Sequence, residues 1–166
     1  MATIKLHGEL FYTCGELPLP GKDAPDFILT GVDLADLEKS GLKGKTVILN
    51  IFPSVDTPVC ATAVRKFNEK AASLEDTVVL CISMDLPFAL VRFCGAEDIK
   101  NVTVLSAFRH LEFGRNYGVT IVAGPLAGLL ARAVVIIGKD GKITYTELVP
   151  EIAQEPDYDA ALAAIG

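Results

Sequence analysis

Two segments of this chain are apolar on both faces of an extended strand, and they constrain the fold more than any other feature. Residues Thr46–Phe52 and Val78–Ser83 show no regular alternation of polar and apolar positions, which is typical of strands inside a sheet. Between them, apolar residues recur at helical spacing from Cys60 to Leu74. A buried strand, a helix and a second buried strand predict an α/β fold with helices packed on a sheet.

The remaining segments extend this pattern. The first 14 residues alternate around His7-Gly8 and predict an N-terminal β-hairpin. Further strands are predicted at Phe27–Thr30, Val32–Leu34, Val102–Leu105, Ala133–Ile137 and Ile143–Val149, and further helices at Pro87–Gly95, Phe108–Tyr117 and Pro156–Ile165. The 166 residues suit a single domain spanning 1–166. We expect a thioredoxin-like domain, with a central mixed β-sheet flanked by helices.

The charge of the chain argues against two classes of partner. Acidic residues outnumber basic ones by 21 to 15, and the basic residues are scattered along the sequence. Such a surface cannot neutralise a row of phosphates, so we expect no nucleic-acid partner and no anionic membrane partner. The first ten residues lack the basic end and apolar core of a secretory signal, so we expect a cytoplasmic protein.

One segment, Gly118–Gly138, is long and apolar enough to raise the question of a membrane span. Its only charged residue, Arg132, would cost about 2.5–3.5 kcal/mol near the centre of a bilayer. The pair Gly124-Pro125 also interrupts the segment. We therefore predict a loop followed by a buried strand.

The chain has four cysteines, Cys14, Cys60, Cys81 and Cys94, which are too few for a disulfide scaffold. In a reducing compartment they begin as thiols, and any disulfide is transient. The sequence contains no Cys-x-x-Cys or His-x-x-x-His pair, so we expect neither a metal nor an organic cofactor. Cys81 lies in the middle of a predicted strand and is expected in the core.

Cys60 has the most favourable position for chemistry. It follows a buried strand and a loop, and it falls in the first turn of the predicted helix, where free backbone N–H groups favour a thiolate. The loop supplies two hydroxyl groups, on Ser54 and Thr57, and it is stiffened by Pro53 and Pro58. A thiolate surrounded by hydrogen-bond donors is suited to nucleophilic attack.

The spacing Pro53-x-x-x-Thr57-x-x-Cys60 resembles the active-site motif of the peroxiredoxins. The surrounding segment, 50–68, is similar to the thiol peroxidase subfamily in particular. Further matches to this subfamily are Leu80–Phe88, Arg92–Ala96, Ala131–Val135 and Glu155–Tyr158. The resemblance covers nearly the whole chain.

This resemblance implies a catalytic cycle with named residues. Cys60 would attack hydrogen peroxide or an organic hydroperoxide, with Thr57 and Arg132 as hydrogen-bond donors, and would become a sulfenic acid. Cys94 would resolve it as an intramolecular disulfide, which thioredoxin would reduce. The subfamily also implies a homodimer, which we expect to bury the region around the active-site loop. Because the two cysteines lie 34 positions apart on separate helices, we expect both helices to unwind locally, eased by Gly95.

Each of these residues also has a purely structural interpretation. On this interpretation, Cys60 and Cys94 are buried core thiols, since free cysteine is among the most buried residue types. Arg132 would pair with a carboxylate, and Thr57 would cap the helix. For the whole chain, the alternative is a redox-responsive binding or chaperone module, which would turn over slowly.

Overall fold

The computed structural model describes residues 1–165 and contains nine strands and four α-helices within them. The strands are β1 (Thr3–Leu6), β2 (Glu9–Tyr12), β3 (Ile28–Gly31), β4 (Asp36–Glu38), β5 (Thr46–Ile51), β6 (Thr77–Ser83), β7 (Thr103–Ser106), β8 (Ala133–Ile137) and β9 (Ile143–Leu148). The helices are α1 (Pro58–Ala71), α2 (Pro87–Glu97), α3 (Glu112–Asn116) and α4 (Tyr158–Ala163), and a 3₁₀ helix spans Lys39–Leu42. Residue 166, the last of the predicted domain, lies outside the described residues.

Strand β5 lies within a seven-stranded sheet of order β4-β3-β7-β6-β5-β8-β9. It pairs in parallel with β6 and antiparallel with β8, so the sheet is mixed. All six residues of β5 are buried, as its apolar sequence predicted. Strands β1 and β2 form a separate antiparallel hairpin, which also confirms the prediction.

The two faces of the sheet carry two hydrophobic clusters. On one face, Ile48, Val79 and Val134 pack with Phe67 of α1 and Phe93 of α2. On the other face, neighbouring strand residues pack with the N-terminal hairpin and α3; this cluster includes Ile4, Phe11, Leu49, Leu80, Phe113 and Val135. The predicted central sheet covered by helices is therefore confirmed.

The predicted strand at Val32–Leu34 is wrong, because these residues form a turn between β3 and β4. The Asp33 carboxylate accepts a hydrogen bond from the Ala35 N–H at 3.1 Å, and the Gly31 N–H donates to the Ala35 carbonyl at 2.8 Å. Leu34 takes a positive φ of 66°, which no regular strand allows. The strand that pairs with β3 begins only at Asp36.

Two predicted helices are shorter than their apolar spacing indicated. Helix α3 begins at Glu112 rather than Phe108, because the Phe108 N–H donates to the Ser106 hydroxyl instead of entering a helix. Helix α4 begins after Asp157, whose carboxylate accepts a hydrogen bond from the Ala160 N–H at 2.9 Å and caps the first turn. Within residues 1–165, no helix has both the length and the apolar character needed to span a membrane.

Candidate active site

Cys60 is the third residue of α1, at the carboxyl end of the central strand. Strand β5 ends at Ile51, the chain passes through the loop 52–57, and α1 begins at Pro58. Proline suits the first helical position because its missing N–H would have no partner there. Because Cys60 lies in the first turn of α1, its sulfur is near the positive end of the helix dipole. The Cys60 residue is fully buried.

Arg132 is brought to Cys60 by the pairing of two strands. Ile51 at the end of β5 lies opposite Ala133 at the start of β8, so the residue before β8 lies beside the loop that follows β5. One guanidinium nitrogen, Nη2, donates to the Cys60 Sγ at 3.1 Å, and Nε donates to the Ile152 carbonyl at 2.9 Å. This geometry joins two sequence-predicted site residues that are 72 positions apart.

The Arg132 side chain is 1% exposed, and it carries a hydrogen-bond donor that no described residue uses. Its Nη1 is buried and lacks a partner within residues 1–165. None of the ion pairs in this part of the chain involves Arg132, so the alternative of a carboxylate partner is not met there. A buried, unused donor next to a buried sulfur is a place where a polar ligand atom can bind.

The active-site loop is organised by hydrogen bonds around Ser54. Thr57 occupies the N-cap position of α1, but its hydroxyl donates to the Ser54 carbonyl at 2.9 Å and makes no side-chain cap. The Ser54 hydroxyl in turn donates to the Asp85 carboxylate at 2.7 Å. Sequence reasoning did not single out Asp85, although it lies in the matched segment Leu80–Phe88 and forms a polar Ser83-x-Asp85 pair at the end of a buried strand.

Cys94 lies on α2 and is only partly buried. Burial raises the pKa of its thiol. It lines an open cavity of about 750 Å³ between α2 and strands β3, β4 and β7, and no residue of the loop 52–57 or of α1 contributes to the lining. Both Cys60 and Cys94 are free thiols, and Cys60 does not line this cavity.

Two ion pairs hold α2, which carries Cys94, against neighbouring segments: one reaches α1, which carries Cys60, and the other reaches the loop before α1. Arg65 of α1 binds Glu97 at the end of α2 through two contacts, Nε to Oε2 at 2.7 Å and Nη2 to Oε1 at 3.0 Å. Hydrogen bonding to Arg65 lowers the pKa of Glu97. Arg92 of α2 binds Asp56 of the active-site loop at 3.2 Å. All four side chains are partly or largely open to solvent.

The other two cysteines lie apart from this arrangement. Cys81 is completely buried in the hydrophobic cluster beneath α1, and burial raises the pKa of its thiol to about 12. Its sulfur accepts a long hydrogen bond from Asn50 Nδ2 at 3.5 Å. The Cys14 thiol contacts the Gly114 carbonyl at 3.6 Å, on the face occupied by α3. Residues 1–165 contain no cluster of side chains that could hold a metal ion.

Comparison with known proteins assigns the chain to a class. The Redoxin family model matches residues 19–162. The thiol peroxidase of Mycobacterium tuberculosis is 63% identical over 166 residues, covering 100% of this chain and 99% of the relative. The thiol peroxidase of Corynebacterium glutamicum is 55% identical over 165 residues, covering 99% of each chain. The crystal structure of a peroxiredoxin-like protein from Aquifex aeolicus superposes with a TM-score of 0.93 at 44% identity, covering 98% of this chain and 95% of that one.

The chain therefore belongs to the Redoxin family. Because its similarity to thiol peroxidases extends along the whole sequence, it is a peroxiredoxin-type oxidoreductase. The structural match is to a peroxiredoxin-like protein, as expected for a thioredoxin-like domain.

Proposed function

We propose that this protein reduces hydrogen peroxide and organic hydroperoxides, with Cys60 as the nucleophile and Cys94 as the resolving cysteine. The observation that carries the proposal is the contact between the buried Cys60 sulfur and Arg132 Nη2, at 3.1 Å. A guanidinium always carries its charge, and here it faces a sulfur instead of a carboxylate. It therefore serves as the counter-ion of a thiolate.

In the first step, the Cys60 thiolate attacks one oxygen of the hydroperoxide. A sulfur–oxygen bond forms while the oxygen–oxygen bond breaks, and the electron pair of the broken bond leaves with the distal oxygen. That oxygen takes up a proton and departs as water or an alcohol, and Cys60 becomes a sulfenic acid. The buried Nη1 of Arg132 has no partner within residues 1–165, and it would donate a hydrogen bond to the oxygen on which this negative charge develops.

Thr57 contributes a second hydrogen-bond donor for the substrate, its hydroxyl group. Its hydroxyl is hydrogen-bonded to the Ser54 carbonyl in the resting arrangement. The hydroxyl oxygen retains its lone pairs, and rotation frees its hydrogen for a substrate oxygen. Pro53 is buried at the end of β5 and fixes the start of the loop.

In the second step, the Cys94 thiol attacks the Cys60 sulfenic acid, a disulfide forms and water leaves. Cys60 is fully buried in the first turn of α1, and Cys94 faces a cavity to which α1 does not contribute. A disulfide requires a Cα separation of about 4.4–6.8 Å, so we infer that the first turn of α1 and the Cys94 segment of α2 unwind. Gly95, with no side chain to restrain the backbone, eases this change. Thioredoxin then reduces the disulfide by exchange.

We also infer the setting in which this cycle operates. Residues 1–166 act as one domain, the protein works in the cytoplasm, and it forms a homodimer. Support for the dimer comes from three apolar side chains at the start of α2, next to the active-site loop: Leu86, Phe88 and Val91 are 52%, 69% and 49% exposed. Sedimentation at micromolar concentration tests this, and a protein that remains monomeric contradicts it.

Mass spectrometry with peptide mapping tests the assignment of the two cysteines. One equivalent of hydrogen peroxide is added to the reduced protein and to its Cys60→Ser, Cys94→Ser and Cys14→Ser variants. We expect a loss of two hydrogens mapped to a Cys60–Cys94 bridge, which Cys14→Ser retains and the other two variants lose. Accumulation of a Cys60 sulfenic or sulfinic acid with Cys94 untouched would contradict the role of Cys94. Slow turnover with thioredoxin would favour a redox-responsive module instead of an enzyme.

A further inference from the structure

The side chain of Asp85 connects the active-site loop to the sheet. Its Oδ1 accepts a hydrogen bond from the Ser54 hydroxyl at 2.7 Å, and its Oδ2 accepts one from the Val55 N–H at 2.9 Å. The Ser83 hydroxyl, at the end of β6, donates to Oδ2 at 2.6 Å. Two of these three donors belong to the loop between β5 and α1, and the third belongs to the neighbouring strand.

Through Ser54, this carboxylate determines the conformation of the loop as far as Thr57. With its proton directed at Asp85, the Ser54 hydroxyl accepts a hydrogen bond from the Asp56 N–H at 3.1 Å. The Ser54 carbonyl accepts from both the Thr57 N–H, at 3.2 Å, and the Thr57 hydroxyl, at 2.9 Å. The chain of contacts therefore runs from Asp85 through Ser54 to Thr57, three residues before Cys60.

Asp85 also lies directly before the helix that carries Cys94. It is the second residue after β6, and α2 begins two residues later at Pro87. Its backbone is fixed independently of its side chain, because the Ser106 hydroxyl donates to the Asp85 carbonyl at 2.5 Å. The carboxylate thus extends from a fixed point of the sheet toward the loop.

The geometry points to Asp85 as a positioning residue of the peroxidase site, acting through Ser54 on the loop that carries Thr57. This inference rests on the proposed role of Cys60 and adds a residue to it. Hydrogen bonds to an ionised carboxylate are short and strong, and a carboxylate accepts without donating. Ser54 and Val55 are therefore held in one orientation, which a neutral side chain in place of Asp85 specifies less strictly.

Asp85→Asn tests the inference, because it keeps the shape of the side chain and removes its charge. Two reactions of Cys60 are compared by quenching and peptide mapping: oxidation by hydrogen peroxide, and alkylation by iodoacetamide at the same pH. Oxidation needs the organised loop, whereas alkylation needs only an accessible thiolate. We expect Asp85→Asn to slow oxidation by at least about tenfold, within the roughly 10²-fold that a misplacement of about 1 Å costs, and to change alkylation by less than about twofold.

Asp140→Asn is the matched control, since it makes the same change in a carboxylate that accepts a backbone N–H, that of Lys142, in the turn between β8 and β9. It should leave both reactions within about twofold of the unaltered protein. Ser54→Ala removes the loop side of the contact and should reproduce the slow oxidation. The double variant Asp85→Asn with Ser54→Ala should be no slower than the slower single variant, because the two residues act through one contact.

Three results would overturn the role of Asp85: unchanged oxidation in Asp85→Asn, a parallel fall of oxidation and alkylation, or additive effects in the double variant. If Asp85→Asn does not fold, Ser54→Ala decides the matter, and unchanged oxidation in that variant overturns the role. A failure of the proposed function is recognised separately, since the unaltered protein would then form no oxidised product at Cys60.

Discussion

Replacing Arg132 with methionine separates the catalytic value of the guanidinium from its value for folding. Methionine has a long, flexible side chain that fills most of the same space, but it donates no hydrogen bond. The change removes the 3.1 Å bond to the Cys60 sulfur, the 2.9 Å bond to the Ile152 carbonyl and the unused Nη1 donor. All three of these nitrogen donors are shielded from solvent, because Arg132 is only 1% exposed.

The expected loss of rate follows from the charge that the transition state develops. Removing one preorganised donor from such a charge costs about 2.7–4 kcal/mol in other enzymes, which corresponds to roughly 10²–10³-fold in rate. Stability should behave differently. The change relieves the cost of burying the guanidinium charge, but it leaves the Ile152 carbonyl without the donor it has in the structure, so the two effects offset each other. Arg132→Met should therefore react slowly with peroxide while its melting temperature changes by no more than about 2–4 °C.

The assay is the rate of Cys60 oxidation by hydrogen peroxide in the reduced protein, together with thermal unfolding. Arg115→Met is the control, because Arg115 is an exposed arginine on α3, away from the site. It should change neither quantity appreciably. A fall of less than about tenfold for Arg132→Met would refute the reasoning, since one donor is expected to contribute more than that. A melting temperature lowered by much more than this range would show that Arg132 is retained for folding.

Two further predictions concern the rearrangement and the pH dependence of stability. Glu97→Gln weakens the bidentate contact with Arg65, so we expect faster amide exchange across α2. Because α2 then opens more readily and Cys94 resolves the sulfenic acid sooner, sulfinic acid formation at Cys60 should need a few-fold higher dose of peroxide. Unchanged amide exchange would contradict this. The pKa of Cys81 is raised by burial to about 12, so its contribution to stability is complete below the ordinary thiol value of 9.0 and is lost as the pH rises toward 12. Cys81→Ala should therefore lose unfolding free energy less steeply above pH 9, by up to about 1.4 kcal/mol per pH unit, and equal slopes would refute the assignment.

The sequence predicted those elements whose signal lies in their own residues. Strand β5 is apolar throughout, and only burial on both faces of a sheet accommodates such a segment. The prediction of a strand at Val32–Leu34 failed because the alternation of polar and apolar residues there resembles a short strand. The conformation is decided instead by the hydrogen bond from the Ala35 N–H to the Asp33 carboxylate and by the positive φ of Leu34. Such turn geometry leaves little trace in the polarity pattern.

The same distinction applies to the site. The positions of Cys60 and Thr57 at the start of α1 followed from local spacing, because a strand, a loop and a helix in succession place them there. Arg132 entered only through resemblance to a family, since its contact with Cys60 depends on the pairing of β5 with β8. Asp85 was not predicted because its carboxylate meets Ser54 only where the ends of β5 and β6 lie side by side.

The site therefore consists of a fixed part and a part that can be released. Arg132 is held by its place directly before β8 and by the Ile152 carbonyl, so in the proposed cycle the charge that faces the reacting sulfur stays with the sheet. The two cysteines lie on helices. One ion pair joins α1 to α2, a second joins the active-site loop to α2, and their side chains are 32–68% exposed. Exposed ion pairs contribute little stability and are readily exchanged for water. In the proposed cycle, unwinding of the two helices would therefore bring the sulfurs together while the sheet and its guanidinium stay in place.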